Sequence, residues 1–189
     1  MIRFGTAGNS ESFYAENHKS TFEAPAWLAA RGLTAFEYSF GHGVRLGAES
    51  AAKIRAEFDK TDIQVSAHGP YYINLLRDPA DTERFEKNMA YIMDTAIACD
   101  RLGGQRVVIQ LGSRRDADGE EGINRVVQGL LEALRLLDDA GLSHMVLCPE
   151  TMGKKNQFGD LSEILRICEA SDKLLPTIDF AHLHALGIG

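Results

Sequence analysis

The sequence predicts an α/β fold built on a parallel sheet. Three observations carry this expectation. Short apolar runs alternate with amphipathic stretches, the alternation is strict (βα five times, then a sixth strand), and glycine or proline punctuates several of the joints. The chain has 189 residues, which suits one domain over 1–189. Two architectures satisfy the pattern. One is an open doubly wound sheet. The other is a (β/α)8 barrel without its last two βα units, since a complete barrel runs to about 250 residues.

Residues 2–7 (IRFGTA) read as the first strand. Residues 25–31 form a short helix that opens with Pro25 and stops at Gly32, the usual asymmetry of helix ends. A second strand covers 33–38, and the Gly41-His42-Gly43 loop that follows supplies turn geometry. Residues 48–60 make the second helix, with Ile54 and Phe58 on one face, and 63–68 (IQVSAH) the third strand. The third helix has Asp78 as its expected cap, Pro79 at its first position, and an apolar stripe of Phe85, Met89, Ile92, Met93 and Ala96. Residues 106–110 are the fourth strand. The fourth helix carries Ile123, Val126, Val127, Leu130, Leu131, Leu134 and Leu137 on one face and ends near Gly141. Residues 144–149 are the fifth strand, 161–170 the fifth helix capped by Asp160, and 174–179 (LLPTID) the sixth strand.

Composition excludes several classes. Hydrophobic residues are 44% and charged residues 25%, which rules out collagen-like, disordered and coiled-coil chains. The net charge of −7 argues against coating nucleic acid by charge alone. A local site where metal ions reverse the sign remains open. No run approaches the roughly 20 apolar residues of a membrane span, so no membrane partner is expected. The opening MIRFGTAGNS lacks a signal-peptide core, so a cytoplasmic location is expected. Cys99, Cys148 and Cys168 are odd in number and set in apolar patterns, the mark of buried free thiols.

Polar residues gather at strand ends. The third strand ends at His68, the fourth at Gln110, the fifth at Glu150 and the sixth at Asp179, with His182 three residues on; Glu37 lies near the end of the second. Alternation puts His68 with Ser66, Glu150 with Cys148 and Asp179 with Thr177 on one face. Val65, Ala67, Leu147 and Ile178 then take the face that packs against helices. Barrel enzymes keep their chemistry at this rim, and imidazole with carboxylate suits Zn²⁺ or Mn²⁺. Gly5 and Gly8 do not form a dinucleotide fingerprint, and no nucleophile elbow surrounds Ser66. His18, His42 and His144 have no evident partners.

Three motifs in order carry a resemblance. They are Ser66-Ala67-His68-Gly69-Pro70-Tyr71-Tyr72-Ile73-Asn74-Leu75, then Pro149-Glu150-Thr151-Met152-Gly153-Lys154 with Gln157-Phe158-Gly159, then Ile178-Asp179-Phe180-Ala181-His182-Leu183-His184-Ala185. The chain resembles the endonuclease IV family (family-2 AP endonucleases) of the xylose isomerase-like TIM barrels, and the opening Gly5-Thr6-Ala7-Gly8-Asn9 is similar to that family's first strand. The resemblance implies a partial TIM barrel and a zinc-dependent phosphodiesterase. Its partner would be DNA containing abasic sites, cut on the 5′ side of the lesion with up to three zinc ions. By that resemblance His68 is a ligand of the first zinc, and Glu150 is catalytic and bridges the first and second. Asp179 holds the second zinc and His182 the third, while Tyr71 stands where a residue enters the DNA.

The chain departs from the family at its fourth strand. Gln110-Leu111-Gly112-Ser113 stands where the family has His-Pro-Gly-Ser, so an amide replaces an imidazole ligand. The remaining family ligands belong to the last two barrel units. His68 and Glu150 are then left for the first zinc, Glu150 and Asp179 for the second, and His182 alone for the third. No position is expected to gather three protein ligands, so weak zinc binding and absent or impaired activity are expected of the chain as it stands. Two other functions fit the same residues. One is a metal-dependent sugar isomerase or epimerase of the same superfamily, with Glu37 and the Glu150/Asp179 pair around a polyol. The other is a non-catalytic fragment or degenerate homologue. Strands one and six are expected to leave unpaired sheet edges, through which copies of the chain can associate.

Overall fold

A computed structural model of the chain describes residues 2–188. Five strands form one parallel sheet: β1 (Gly5–Ala7), β2 (Ala35–Ser39), β3 (Gln64–His68), β4 (Arg106–Ile109) and β5 (Val146–Pro149). Their spatial order is β1-β2-β3-β4-β5, the order of the sequence. A doubly wound sheet reverses its winding at a switch point. This sheet never does, so every crossover returns on the same side and the sheet curls as a barrel wall. The protein is an α/β partial barrel.

The described residues hold seven α-helices: α1 (Glu11–Ala15), α2 (Ala24–Ala29), α3 (Ala48–Phe58), α4 (Thr82–Arg101), α5 (Gly119–Asp139), α6 (Leu161–Cys168) and α7 (Phe180–Ile188), plus a 3-10 turn over Thr21–Glu23. Five helices were expected; α1 has only five residues, α7 (FAHLHALGI) carries apolar residues on every side and so shows no amphipathic stripe, and a three-residue turn has no period. Helices α2 to α6 pack each against the next along the outer face. Their stripes meet the strand residues that point outward. Ala67, Val107, Ile109 and Leu147 are fully buried there against Ile92, Ala96, Val126, Leu130 and Leu137. Burying each large aliphatic side chain contributes about 1.5–3 kcal/mol. Helix α5 shows why the stripe is narrow: Leu130, Leu134 and Leu137 are buried, but Leu131 is 41% exposed, one residue and about 100° further round. The expectation that Leu131 joins the core is therefore corrected.

Two further expectations change. Helix α4 begins at Thr82, capped by Asp81, whose side chain accepts from Arg84 N. Asp78 instead accepts from Ala80 N, and its carbonyl accepts from Asp81 N at 3.0 Å. Asp78-Pro79-Ala80-Asp81 is thus a β-turn with proline at its second position, where its fixed φ suits the turn equally well.

The expected sixth strand is not continuous. Residues 174–179 do run parallel to β5, with Leu147 N donating to the Lys173 carbonyl and Leu175 N to that of Leu147. The next donor on β5 would be Pro149, which has no N–H. The ladder skips there and resumes with Thr177 N to the Pro149 carbonyl and Thr151 N to the Thr177 carbonyl. Two isolated bridges result, Leu147 with Leu174 and Glu150 with Thr177. Leu175 and Thr177 donate toward β5, so Pro176 between them turns its nitrogen to the open side, where proline leaves no donor for another strand. No helix among the described residues is long and apolar enough to cross a membrane.

Candidate metal centre

The inward face is set by register. Ser39, His68, Val108 and Cys148 are mutual partners across β2 to β5. Two residues further along, Gln110 and Glu150 lie side by side on the same face. The Gln110 amide accordingly donates to Glu150 Oε2 at 3.1 Å. His68 reaches the same oxygen from the far side of β4, with Nε2 at 3.4 Å. Tetrahedral zinc holds two such atoms about 3.3 Å apart, given bonds of 2.0–2.1 Å. His68 Nδ1 donates to the Gly69 carbonyl at 2.8 Å, which fixes the ring and leaves Nε2 for a ligand.

The second half of the site hangs from Thr151. Its hydroxyl accepts from Asp179 N at 2.9 Å, and its carbonyl accepts from His182 Nδ1 at 2.9 Å. Asp179 caps α7: Oδ1 accepts from His182 N at 2.8 Å. The cap folds the first turn of α7 back over β5. Glu150, Asp179 and His182 then present ligand atoms within 4.8 Å of one another. The chain can approach this closely because residue 153 is glycine; a Cβ there would lie 2.9 Å from His182 Cδ2. The expectation that no position gathers three ligands is corrected here. Counting ligands along the sequence sets His182 apart, whereas the capped turn carries it to Glu150 and Asp179. Thr151 stands in the second sequence motif without an assigned role, because its contribution is a carbonyl and a hydroxyl used locally.

Glu150 is 6% exposed and is touched on both sides. Burial lowers the His68 imidazole, but the hydrogen bonds to Glu150 and Gly69 and the charges of Glu150 and Glu37 outweigh it and hold His68 above its ordinary value. Glu37 faces the same interior from β2. Burial, opposed by the His68 charge and aided by that of Glu150, raises its carboxyl above the ordinary 4.5. A raised acid favours the folded state below its unfolded pKa, and that contribution is lost as pH rises through the folded value. Glu37→Gln is therefore expected to raise the melting temperature of the metal-free protein at pH 7, with the gap closing as pH falls through the raised folded value and gone below the ordinary 4.5. Melts in chelator from pH 4 to 8 check this; a constant difference across that range contradicts it.

Tyr71 stands at the rim, 54% exposed, its hydroxyl 3.2 Å from His42 Nδ1 and the two rings edge to face. His42 thus has a partner that the sequence did not indicate. His18 bonds Glu23 at 2.7 Å and His144 bonds Asp100 at 2.9 Å, both away from the site. Gly43, with φ 101°, closes the loop turn by donating to the Phe40 carbonyl at 2.7 Å. Cys99 and Cys148 are buried and free, and burial pushes each thiol up to about 12. Cys168 is only half-buried, a partial correction, and burial still raises it to about 11. These are packing residues, not nucleophiles.

A sequentially wound parallel sheet with imidazoles and carboxylates gathered at the carboxyl ends of its strands defines a (β/α)8-type barrel scaffold with a candidate metal centre. Residues 25–189 match the xylose isomerase-like TIM barrel family, and the chain belongs to it. Uncharacterized protein MJ0133 of Methanocaldococcus jannaschii is 35% identical over all of this chain, which spans 65% of that relative's length. Probable endonuclease 4 of Nitrosopumilus maritimus is 33% identical over 64% of this chain and 43% of its own. Among solved structures, endonuclease IV from Thermus thermophilus superposes with a TM-score of 0.70 at 26% identity, covering 97% of this chain and 65% of that one. A D-psicose 3-epimerase reaches 0.74 at 15% identity, covering 100% and 67%, which shows the shared fold alone.

Proposed function

We propose that the protein is a metal-dependent phosphodiesterase of the endonuclease IV kind, acting on DNA at abasic sites. The observation that carries this reading is the two-sided environment of Glu150, with His68 Nε2 on one side and Asp179 and His182 on the other. A carboxylate so placed suits a bridge between two metal positions. His68 and Glu150 would hold one, and Glu150, Asp179 and His182 the other. Both imidazoles have Nδ1 engaged by a backbone carbonyl, the arrangement that presents Nε2 to a metal. The donor set of nitrogen and carboxylate oxygen fits zinc. Bound there, zinc supplies Lewis acidity toward a phosphate oxygen and a nucleophile at neutral pH. The chain's own residues do the positioning. Gln110 and His68 fix the Glu150 carboxylate, Thr151 fixes Asp179 and His182, and Tyr71 at the rim meets the DNA. The likeness to named endonuclease 4 relatives at 33% identity supports DNA over a sugar as substrate.

Because Gln110 takes the place of an imidazole, the 189-residue chain is proposed to cut weakly. With zinc it is expected to prefer an abasic duplex over an intact one. Any nicking falls on the 5′ side of the lesion and is lost in Glu150→Gln. An equal affinity for both duplexes, or manganese-dependent interconversion of ketose epimers by the same preparation, would move the assignment to the sugar isomerase reading. That reading is favoured by one feature, the half-buried Glu37 facing the same interior.

A further inference from the structure

A cavity of about 310 Å³ opens between the loop after β3 and the exposed side of α4. Its walls are Tyr72, Arg77, Arg84, Lys87, Asn88 and Tyr91. Arg84, Lys87, Asn88 and Tyr91 share one helical stripe at i, i+3, i+4 and i+7. Arg77 comes to them from the loop. Three cations therefore converge from two elements, in a chain whose net charge is −7. Among the described residues, Arg84 alone of the three stands in an ion pair, with Asp81 at 3.2 Å.

The rest of the wall is preorganised. Asn88 is buried, and both ends of its amide are taken: Oδ1 accepts from Asn74 N at 3.0 Å and Nδ2 donates to the Asn74 carbonyl at 2.8 Å. It ties the loop to α4 and forms a floor. Tyr72 and Tyr91 meet edge to face at 4.8 Å, and the Lys87 ammonium lies 6.0 Å from the Tyr91 ring. Cationic groups beside two aromatic faces match a nucleotide, with phosphate on the guanidinium and ammonium groups and the base on a ring. The volume is that of the smaller ligand pockets, roughly 300 Å³.

The cavity also continues toward the metal centre. A second hollow of about 320 Å³ shares Tyr72 and Arg77 with it and extends past Tyr71 to Gln110, the residue bonded to Glu150. We infer that the cavity on α4 is a nucleotide subsite, holding a phosphate of the DNA strand between Arg77, Arg84 and Lys87 with its base against Tyr72 or Tyr91, while neighbouring nucleotides run through the second hollow to the metal ligands. This rests on the DNA reading proposed above and adds where a flanking nucleotide is held.

The test is fluorescence anisotropy with a labelled ten-thymidine strand, titrated in salt. Arg77→Ala with Lys87→Ala is expected to weaken binding at least tenfold and to lower the slope of log affinity against log salt by about one to two. Lys60→Ala with Lys173→Ala removes the same charge from ion pairs with Glu57 and Asp138 at the opposite end of the strands. It is expected to change affinity less than threefold. Tyr72→Ala is expected to weaken the oligonucleotide while sparing inorganic polyphosphate, which separates a nucleotide from a bare anion. Thermal melts of each variant report folding, and Lys87→Arg is expected to keep the affinity. Equal binding by the Arg77/Lys87 variant and the parent chain overturns the inference, as does equal loss in the Lys60/Lys173 control or no binding by the parent. Zinc titration of the same variants judges the metal centre separately, because none of these substitutions touches its ligands.

Discussion

Zinc affinity is expected to fall more than about 100-fold in Glu150→Gln. Losing a partner outside the ligand set already costs 10–100-fold, and Glu150 stands closer than that, facing both candidate positions. Its oxygen lies 3.4 Å from His68 Nε2, and its carboxylate belongs to the group with Asp179 and His182. The amide keeps the size and the polar contacts of the side chain, so the fold should persist and the loss should be confined to metal. In the metal-free state the substitution removes a charge from a site 6% exposed. Relief of the buried charge and loss of its pairing with His68 oppose each other, so the melting temperature without metal is expected to change little. Calorimetric titration with zinc, paired with melts in chelator, reads both quantities. Tight zinc binding by the parent chain that is unchanged in the variant would remove Glu150 from the centre. A collapse in metal-free stability would recast it as a structural carboxylate.

Glu163→Ala is expected to destabilise the chain by about 3 kcal/mol, near the range for breaking a buried ion pair from one side. Glu163 is 8% exposed and has four donors. Arg114 grips it through both guanidinium nitrogens at 2.6 and 2.8 Å, and Gly159 N and Asp160 N donate to Oε2 at 3.0 and 2.9 Å. The last of these is half of the capping box that starts α6. For a chain of this size the melting temperature is expected to drop by about 6–12 °C. The loss should reach the metal centre too. Gly159 closes the loop after β5 by accepting from Met152 N at 2.8 Å, and a Cβ on Gly159 would lie 3.0 Å from the Glu150 carbonyl. Glu163→Gln keeps an acceptor for the two backbone donors and loses the charge pair, so it should cost about half as much. Urea melts of both variants separate the contributions. A shift below about 1 kcal/mol for the alanine variant would mean that the loop is held by packing around Phe158 instead.

Most of the scaffold is legible in the chain itself. The alternation of short apolar runs with helical stripes is a local signal, and it places β2 to β5 and α2 to α6 within a few residues. Asp160 before Leu161 and Gly141 after α5, with φ 76°, act as the ends that their chemistry suggests. The facing of strand residues is equally local: Val65 and Ala67 go to the helices, Ser66 and His68 to the interior. These features depend on periods of two and 3.6 residues, which a sequence displays directly.

Other features arise only from the folded chain. Asp78 and Asp81 are equivalent as caps on paper, and the turn around Pro79 chooses between them. Pro149 interrupts the ladder expected of residues 174–179, because the missing N–H matters only once the partner segment is known. The meeting of His68 with Glu150 spans 82 residues, and that of Arg114 with Glu163 spans 49. Sheet register sets the first distance, and the packing of the loop after β5 onto α6 sets the second. His182 joins Glu150 because Asp179 caps a helix where a strand end was expected. Periodicity dictates which face a side chain takes. Which side chains then touch depends on the order, register and curl of the sheet, which are properties of all its strands together.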